Sequence, residues 1–374
     1  MRKQVYMPET VDAAARRRIS YVFDEFENII VSISGGKDST VLAWLTLQEA
    51  HQRGRKIGLF FLDEEVVYES TIEQIEWLMN LYPENTTRLW FQFPFKLTNA
   101  TSYEEGQLIS WEPGKYDIWM RPKVRYSIQH IPWDRDTQTV RDKNKGFGFY
   151  DVLDNFQASR KNTAFLVGLR ATESMNRFRA VAKNPGHKDC FWCTKIERSE
   201  GSACFYPIYD WNFHDIWKFI YDNNIRYSKI YDFQWKKGRH LQEIRVSSLI
   251  HEKSFKALVD LPEFEPKTYD KLLKRIKGIE VGHLYGRDPK LLRAQKLPKN
   301  YANWRQYRDF LLETYPDPSK RAIFERRFAR LLDNDYVARQ ECRQLILNDY
   351  ENNLTIKNQE DPRELTLQKW RNIL

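Results

Sequence analysis

Asn28-Ile-Ile-Val-Ser-Ile-Ser34-Gly-Gly-Lys-Asp-Ser-Thr40 is the stretch on which the fold turns. Its first half is short, apolar and β-branched, the composition of a strand buried on both faces. Two glycines then let the backbone turn tightly and come close to a ligand, and Val41 to Ala50 continues with helical spacing. In such a strand-to-helix turn, successive backbone N–H groups and the helix N-terminus make an anion cradle. Lys37 adds a mobile positive charge, and the hydroxyls of Ser34, Ser39 and Thr40 add donors. Asp38 would repel a phosphate, so it is expected to help hold Mg²⁺ or to orient the loop. The order is not that of a Walker A loop, G-x-x-x-x-G-K-[ST]. A plain turn accounts for Gly35 and Gly36 but not for the whole heptapeptide in this place.

Outward from the turn, Thr10 opens an amphipathic helix over residues 10–25, with Val11, Ala15, Ile19, Val22 and Phe23 on one stripe. Ile57 to Leu62 is a second buried run ending on Asp63, and Glu69 to Leu81 is helical. Thr87 to Phe93 and Ala164 to Gly168 supply two more strands. Apolar strands alternating with helices predict an α/β fold with a Rossmann-like parallel sheet covered on both faces. Ligands gather at the carboxyl ends of such strands, where Ser34, Asp63 and Gly168 would lie. Residues 95–150, rich in Gly, Trp and charge, follow no clear period and are expected to form an insertion walling the site. From residue 212 the pattern turns helical: Asn212–Asn224, Leu241–His251, Tyr269–Ile279, Asn303–Thr314, Lys320–Asp333, Tyr336–Tyr350 and Arg363–Asn372.

The 374 residues suit two domains, or one with an appendage. No run of about 18 apolar residues occurs, so a spanning helix is excluded, and Met1 to Arg18 lacks the apolar stretch of a secretory signal. Four cysteines are too few for a disulfide scaffold, and the setting reads as reducing cytoplasm. The net charge of +9 is concentrated: residues 271–330 hold 16 Lys/Arg against 6 Asp/Glu, together with Tyr301, Trp304, Tyr307 and Phe310. Such a segment attracts polyanions by counterion release and offers rings for stacking, so nucleic acid is a candidate partner through 271–330. The alternative is a solvated helical face.

Ser34 to Thr40 resembles the PP-loop of the N-type ATP pyrophosphatases and, more nearly, of the phosphoadenosine-phosphosulfate (PAPS) reductase-like family. Leu62-Asp63-Glu64-Glu65 resembles the segment that reaches the nucleoside. Gly168-Leu-Arg170-Ala-Thr-Glu173-Ser-Met-Asn-Arg177 resembles the element that faces the nucleotide's phosphates or sulfate, and Pro207 to Trp211 with Tyr227–Tyr231 resembles the closing segment. The resemblance covers about residues 20–235. It implies an adenine nucleotide alpha hydrolase-like domain over 1–235, with a helical, basic region over 236–374. Leu241 to Ser247 and Pro266 to Gly278 are similar to a subgroup of the immunoglobulin-binding-regulator A type, which implies a ParB-like partner. By this resemblance Ser34, Gly35, Gly36, Lys37, Asp38, Ser39, Thr40, Asp63, Gly168, Arg170, Glu173 and Arg177 bind ATP or a PAPS-like nucleotide with Mg²⁺, and Lys37, Asp38 and Arg170 are the catalytic candidates.

The chemistry of those residues agrees. Arg170 and Arg177 offer two guanidinium forks for phosphate or sulfate oxygens, and Glu173 can fix one of them; the alternative is an exposed ion-pair cluster. Asp63 suits ribose hydroxyls, or else caps the next helix. His187, Cys190, Cys193 and Cys204 supply four ligands suited to Zn²⁺. The alternatives are an iron–sulfur cluster on the three cysteines, a redox dithiol at Cys190 and Cys193, or ordinary packing. Sulfate reduction by PAPS reductases uses a cysteine in a C-terminal E-C-G-x-H tail, whereas Gln340-Glu-Cys342-Arg-Gln344 lacks the glycine and histidine and lies inside a helical pattern. The expected activity is therefore cleavage of the α–β phosphate bond with adenylation of an acceptor, nucleic acid among the candidates, for sulfur or other group transfer. The alternative is a nucleotide-sensing regulator that has lost turnover; thiol-dependent PAPS reduction is disfavoured.

Overall fold

The computed structural model describes residues 6–371 apart from 103–104, 143–145, 183–185, 189, 242–243, 252–253, 280–296, 351 and 353. The chain divides into two compact units, residues 1–97 with 109–248, and residues 98–108 with 249–374.

In the first unit, strands β1 (Asn28–Ser32), β2 (Ile57–Leu62), β3 (Thr86–Phe91), β6 (Thr163–Val167), β7 (Cys193–Lys195) and β8 (Ala203–Phe205) form one sheet in the order β3-β2-β1-β6-β8-β7. Every pairing is parallel except β7 with β8. β1 is central because it is buried through Ile29, Ile30 and Val31, and its register sets Val31 against Leu59 on one side and Leu166 on the other. Strands added from β1 run first toward β3; the chain then returns to place β6 on β1's other flank. The gap between the carboxyl ends of β1 and β6 is thus the switch point at which open α/β sheets bind ligands.

Helices cover both faces. α1 (Val11–Glu25), α2 (Lys37–Gln52), α3 (Glu69–Asn80) and α6 (Phe213–Asp222) pack over Val31, Leu59, Phe61 and Leu166. α4 (Phe149–Ala158) packs Val152 and Phe156 on the other face against Ile30, Phe60, Phe91 and Phe165. Thr10 caps α1 by accepting the Ala13 N–H at 3.2 Å, and Asn212 caps α6 by accepting from His214 and Asp215. Two short helices, α5 (Met175–Ala182) and α7 (Ile230–Lys236), and a β4–β5 ribbon (Phe95–Thr98 with Gln107–Ser110) complete the elements the sequence pattern did not resolve here.

The helix expected over Leu241–His251 is not formed: residues 244–248 run without helical hydrogen bonding, while 242–243 lie outside the described residues. Ile244, Leu249 and Ile250 are buried, so the apolar spacing is real, but it marks an anchored loop. In the second unit, helices span Phe255–Phe264, Pro266–Arg275, Trp304–Glu313, Pro318–Phe328, Asp335–Ile346 and Pro362–Arg371. Its apolar clusters centre on Trp304, Ala338 and Cys342, and on Phe324, Phe328 and Leu345. Trp304 is buried and Tyr301, Tyr307 and Phe310 lie ring against ring at 4.9–5.4 Å, so these side chains serve packing among themselves more than an open stacking platform. Among the described residues, no helix is long and apolar enough to cross a membrane.

Candidate functional site

The heptapeptide lies at the switch point, and its helix starts earlier than the apolar spacing suggests. α2 begins at Lys37, so Lys37 to Thr40 form its first turn with Gly36 as cap. Gly35 holds φ +71°, and a Cβ there would stand 2.7 Å from the Thr71 methyl of α3. Gly168, just past β6, meets the Asp38 and Ser39 backbone so closely that a Cβ would stand 3.0 Å from it. Glycine at both positions lets β6 and α3 close on the loop. Ser39 Oγ donates to the Gly36 carbonyl at 3.0 Å and accepts the Ser34 N–H at 3.1 Å, with Ser34 Oγ 3.1 Å away. Thr40 N–H closes the turn on the Gly36 carbonyl at 2.9 Å. Among the described residues the amides of Gly35, Gly36, Asp38 and Ser39 have no hydrogen-bond partner. Four unsatisfied N–H groups at a helix N-terminus are the donors an anion would take.

Around this cradle the charges form an alternating chain. Lys37 Nζ meets Asp38 Oδ2 at 2.8 Å, and Asp38 Oδ1 takes Arg170 Nε. Arg170 donates its second arm to Glu173 at 2.8 Å, and Glu173 also pairs with Arg177. Lys37 and Arg170 are 5% and 4% exposed. Burial holds the Lys37 ammonium below its usual pKa, with Asp38 opposing that shift. Arg177 is likewise lowered, by burial first and then by the like charges of Arg170 and Arg245 against the pull of Asp38. Three cations share two carboxylates, which leaves a positive excess beside the free amides.

Tyr231, from α7, was not singled out in sequence for this role. Its hydroxyl accepts the Lys37 N–H at 2.9 Å across 194 positions of chain and lies beneath the loop. Burial raises its pKa, so it stays a neutral phenol. Glu64 stands two residues past the end of β2. It is half-buried, takes a hydrogen bond from Ser248, and burial pushes its pKa up to about 7.

Asp63 is not placed to meet ribose. It is wholly buried, and its carboxylate accepts from Trp90 Nε1 and Gln92 Nε2, each at 2.9 Å, from the Glu65 N–H at 2.9 Å, and from Arg121. Glu65 accepts the Trp111 N–H at 2.6 Å, and its carbonyl accepts from Arg121 at 2.8 Å. These two carboxylates bind residues 111–121 to the strand end, so Asp63 is a structural anchor.

The four expected zinc ligands do not converge. Cys193 of β7 pairs in register with Phe205, whereas Cys204 of β8 pairs with Thr194. Alternation along a strand therefore sends Cys204 to the opposite face from Cys193. Cys193 packs in the α1–α2 face, while Cys204 packs under α4 and accepts from Gln157 at 3.3 Å. His187 lies tilted against the Phe26 ring, centroids 5.0 Å apart, and faces Glu25 at 3.5 Å. Among the described residues, no group of three His, Cys, Asp or Glu side chains is arranged to hold a metal ion. The same geometry removes an iron–sulfur cluster on three cysteines. Mg²⁺ fares no better with this donor set, since both Asp38 oxygens are committed to cations.

A glycine turn between the central parallel strand and α2, facing guanidiniums delivered by the next strand over, defines a class: α/β domains built to seat an anion at the sheet's switch point. Residues 28–237 match the phosphoadenosine phosphosulfate reductase domain, and the chain belongs to that family. Residues 238–360 match a domain of unknown function, DUF3440. The uncharacterized protein YbdN of Escherichia coli strain K12 is 28% identical over 324 residues, which cover 84% of this chain and 77% of that one. A PAPS reductase from Candida auris, solved as a phosphate complex, is similar at 13% identity and a TM-score of 0.35, over 62% of this chain and 93% of that one. An FMN adenylyltransferase from Candida glabrata, solved with FMN and the ATP analogue AMPCPP, gives 16% identity and a TM-score of 0.33, over 61% of this chain and 63% of that one.

Proposed function

We propose that this chain seats the anionic tail of an adenine nucleotide, ATP or a PAPS-like one, on residues 34–40 and, with ATP bound, cleaves its α–β phosphate bond. The observation that carries the reading is the set of unpartnered amides at Gly35, Gly36, Asp38 and Ser39 beside buried Lys37 and Arg170. An acceptor oxygen attacks the α-phosphorus, the bond to the β-bridging oxygen breaks, and pyrophosphate leaves with that electron pair. The amides, Lys37 and Arg170 neutralise the charge that grows on the leaving group. No step is assigned to Mg²⁺ held by the protein.

Reduction of PAPS by Cys342 is not supported, because that residue is wholly buried in the Asp335–Ile346 helix and burial pushes its pKa up to about 12. The acceptor belongs to the proposal too: a nucleic acid, reached through the basic 271–330 segment or a ParB-like partner. Exposed Arg305, Arg326 and Arg330 support it, while residues 280–296 of that segment lie outside the described residues. The test is pyrophosphate release from ATP, with and without magnesium and nucleic acid. Lys37→Ala should slow release by about a hundredfold or more. Binding without any release would leave the sensor reading standing in place of the enzyme.

A further inference from the structure

His187, Cys190, Cys193 and Cys204 do not gather as a metal site, yet two of them, Cys190 and Cys193, are held together. Residues 191 and 192 turn the chain, so the two cysteines stand at the turn's first and last positions. A turn of that length brings its end Cα atoms within about 7 Å, and a disulfide spans about 4.4–6.8 Å. The Cys193 thiol donates to the Cys190 carbonyl at 3.2 Å, so its sulfur already lies over the Cys190 backbone. Both are free thiols and both pack on the α1–α2 face of the sheet, while Cys204 packs on the other.

The turn is fixed on both sides. The Cys190 N–H donates to the His187 carbonyl at 2.8 Å, and the Cys190 carbonyl accepts the Gly186 N–H at 3.1 Å. Gly186 lies against β7 so closely that a Cβ there would stand 2.8 Å from the Cys193 carbonyl oxygen. Cys193 begins β7, in register with Phe205. Two thiols held in place give up little further freedom when they join, and that lets an intramolecular step outrun attack by a second molecule. Their surroundings differ: Cys190 is half-buried beside exposed Phe191, whereas Cys193 is 2% exposed. Burial pushes the Cys193 thiol up to about 11, so no stabilised thiolate holds the pair reduced.

We infer that Cys190 and Cys193 form a dithiol–disulfide exchange site whose substrate is a small disulfide such as glutathione disulfide. The Cys190 thiolate attacks one sulfur of that disulfide; its S–S bond breaks, and one thiolate leaves and takes a proton from solvent. Cys193 gives its proton to solvent and attacks the mixed disulfide at the Cys190 sulfur, and the second small thiol leaves in the same way. The protein pair loses two electrons and two protons, and the small disulfide gains them as two thiols. A small dithiol reverses the sequence. In reducing compartments such pairs are catalytic or redox-sensing rather than structural. Nucleotide binding has no part in this exchange.

The test equilibrates the full chain with reduced and oxidised glutathione, blocks the remaining thiols with iodoacetamide, and maps the peptides by mass spectrometry. A Cys190–Cys193 disulfide should form while reduced glutathione is still in excess, with two of the four thiols lost and dithiothreitol restoring both. Cys193→Ser should stop at one glutathione on Cys190, and Cys190→Ser should leave Cys193 unmodified. The inference is overturned if the pair closes only when reduced glutathione is absent, or if Cys190 bonds instead to Cys204 or to a second chain. It is equally overturned if Cys193→Ser takes up no glutathione, or if Cys193 reacts in Cys190→Ser. The first two outcomes are read on wild type alone, so they stand whether or not either variant folds.

Discussion

Gly35 stands at a left-handed φ with the Thr71 methyl where its Cβ would be. Gly35→Ala should cost about 1–3 kcal/mol and weaken nucleotide binding at the same time, read by urea unfolding and calorimetry on one sample. Glu64 offers a pH signature. Its folded pKa lies near 7, above the ordinary carboxylate range, so ionising it costs stability as pH rises toward and through 7. Glu64→Gln removes that cost, and its melting-temperature gain over wild type should be larger at pH 8 than at pH 5. An equal gain at both pH values would show that Glu64 is not the titrating group. At this scale the heptapeptide was legible because its hydrogen bonds close within five residues. Tyr231 and Asp63 were not, since a tyrosine 194 positions away and a carboxylate bound by Trp90, Gln92 and Arg121 leave no local trace.

Among elements, the parallel strands and the covering helices could be read because strands buried on both faces are apolar throughout. β7 and β8, three residues each, carry too little pattern to be seen. Their register nevertheless decides the fate of the cysteine cluster, since one position of strand separates the two faces. The 244–248 segment misleads for a related reason: its apolar residues repeat as in a helix, while the Arg245 backbone N–H and carbonyl are taken by Gln234. The segment 111–121 gives an element-level prediction. Arg121→Ala would leave Asp63 charged and buried without its partner, at a cost of about 3–5 kcal/mol in chemical unfolding. Asp63→Asn/Arg121→Met should recover a good part of it. If the single variant costs under about 1 kcal/mol, Asp63 does not anchor the insertion.

Across the whole molecule, the two units are not consecutive pieces of chain, for the β4–β5 tip, residues 98–108, groups with residues 249–374. A cut at 235, where the resemblance ends, and a cut at 248 both discard residues 249–374 of the second unit, but only the first also discards the segment that Gln234 holds. The fragment ending at 248 should therefore bind ATP more tightly than the one ending at 235, measured by calorimetry. Equal affinities would separate residues 236–248 from the site. The interleaving has a further consequence on the ribosome. Ala100, whose N–H meets the Ile250 carbonyl, leaves the exit tunnel long before its partner exists. At ordinary elongation rates a finger of new chain waits about ten to thirty seconds for a companion made roughly 150 residues later. Chaperones attending the nascent chain have a defined interval, and a defined loop, to protect.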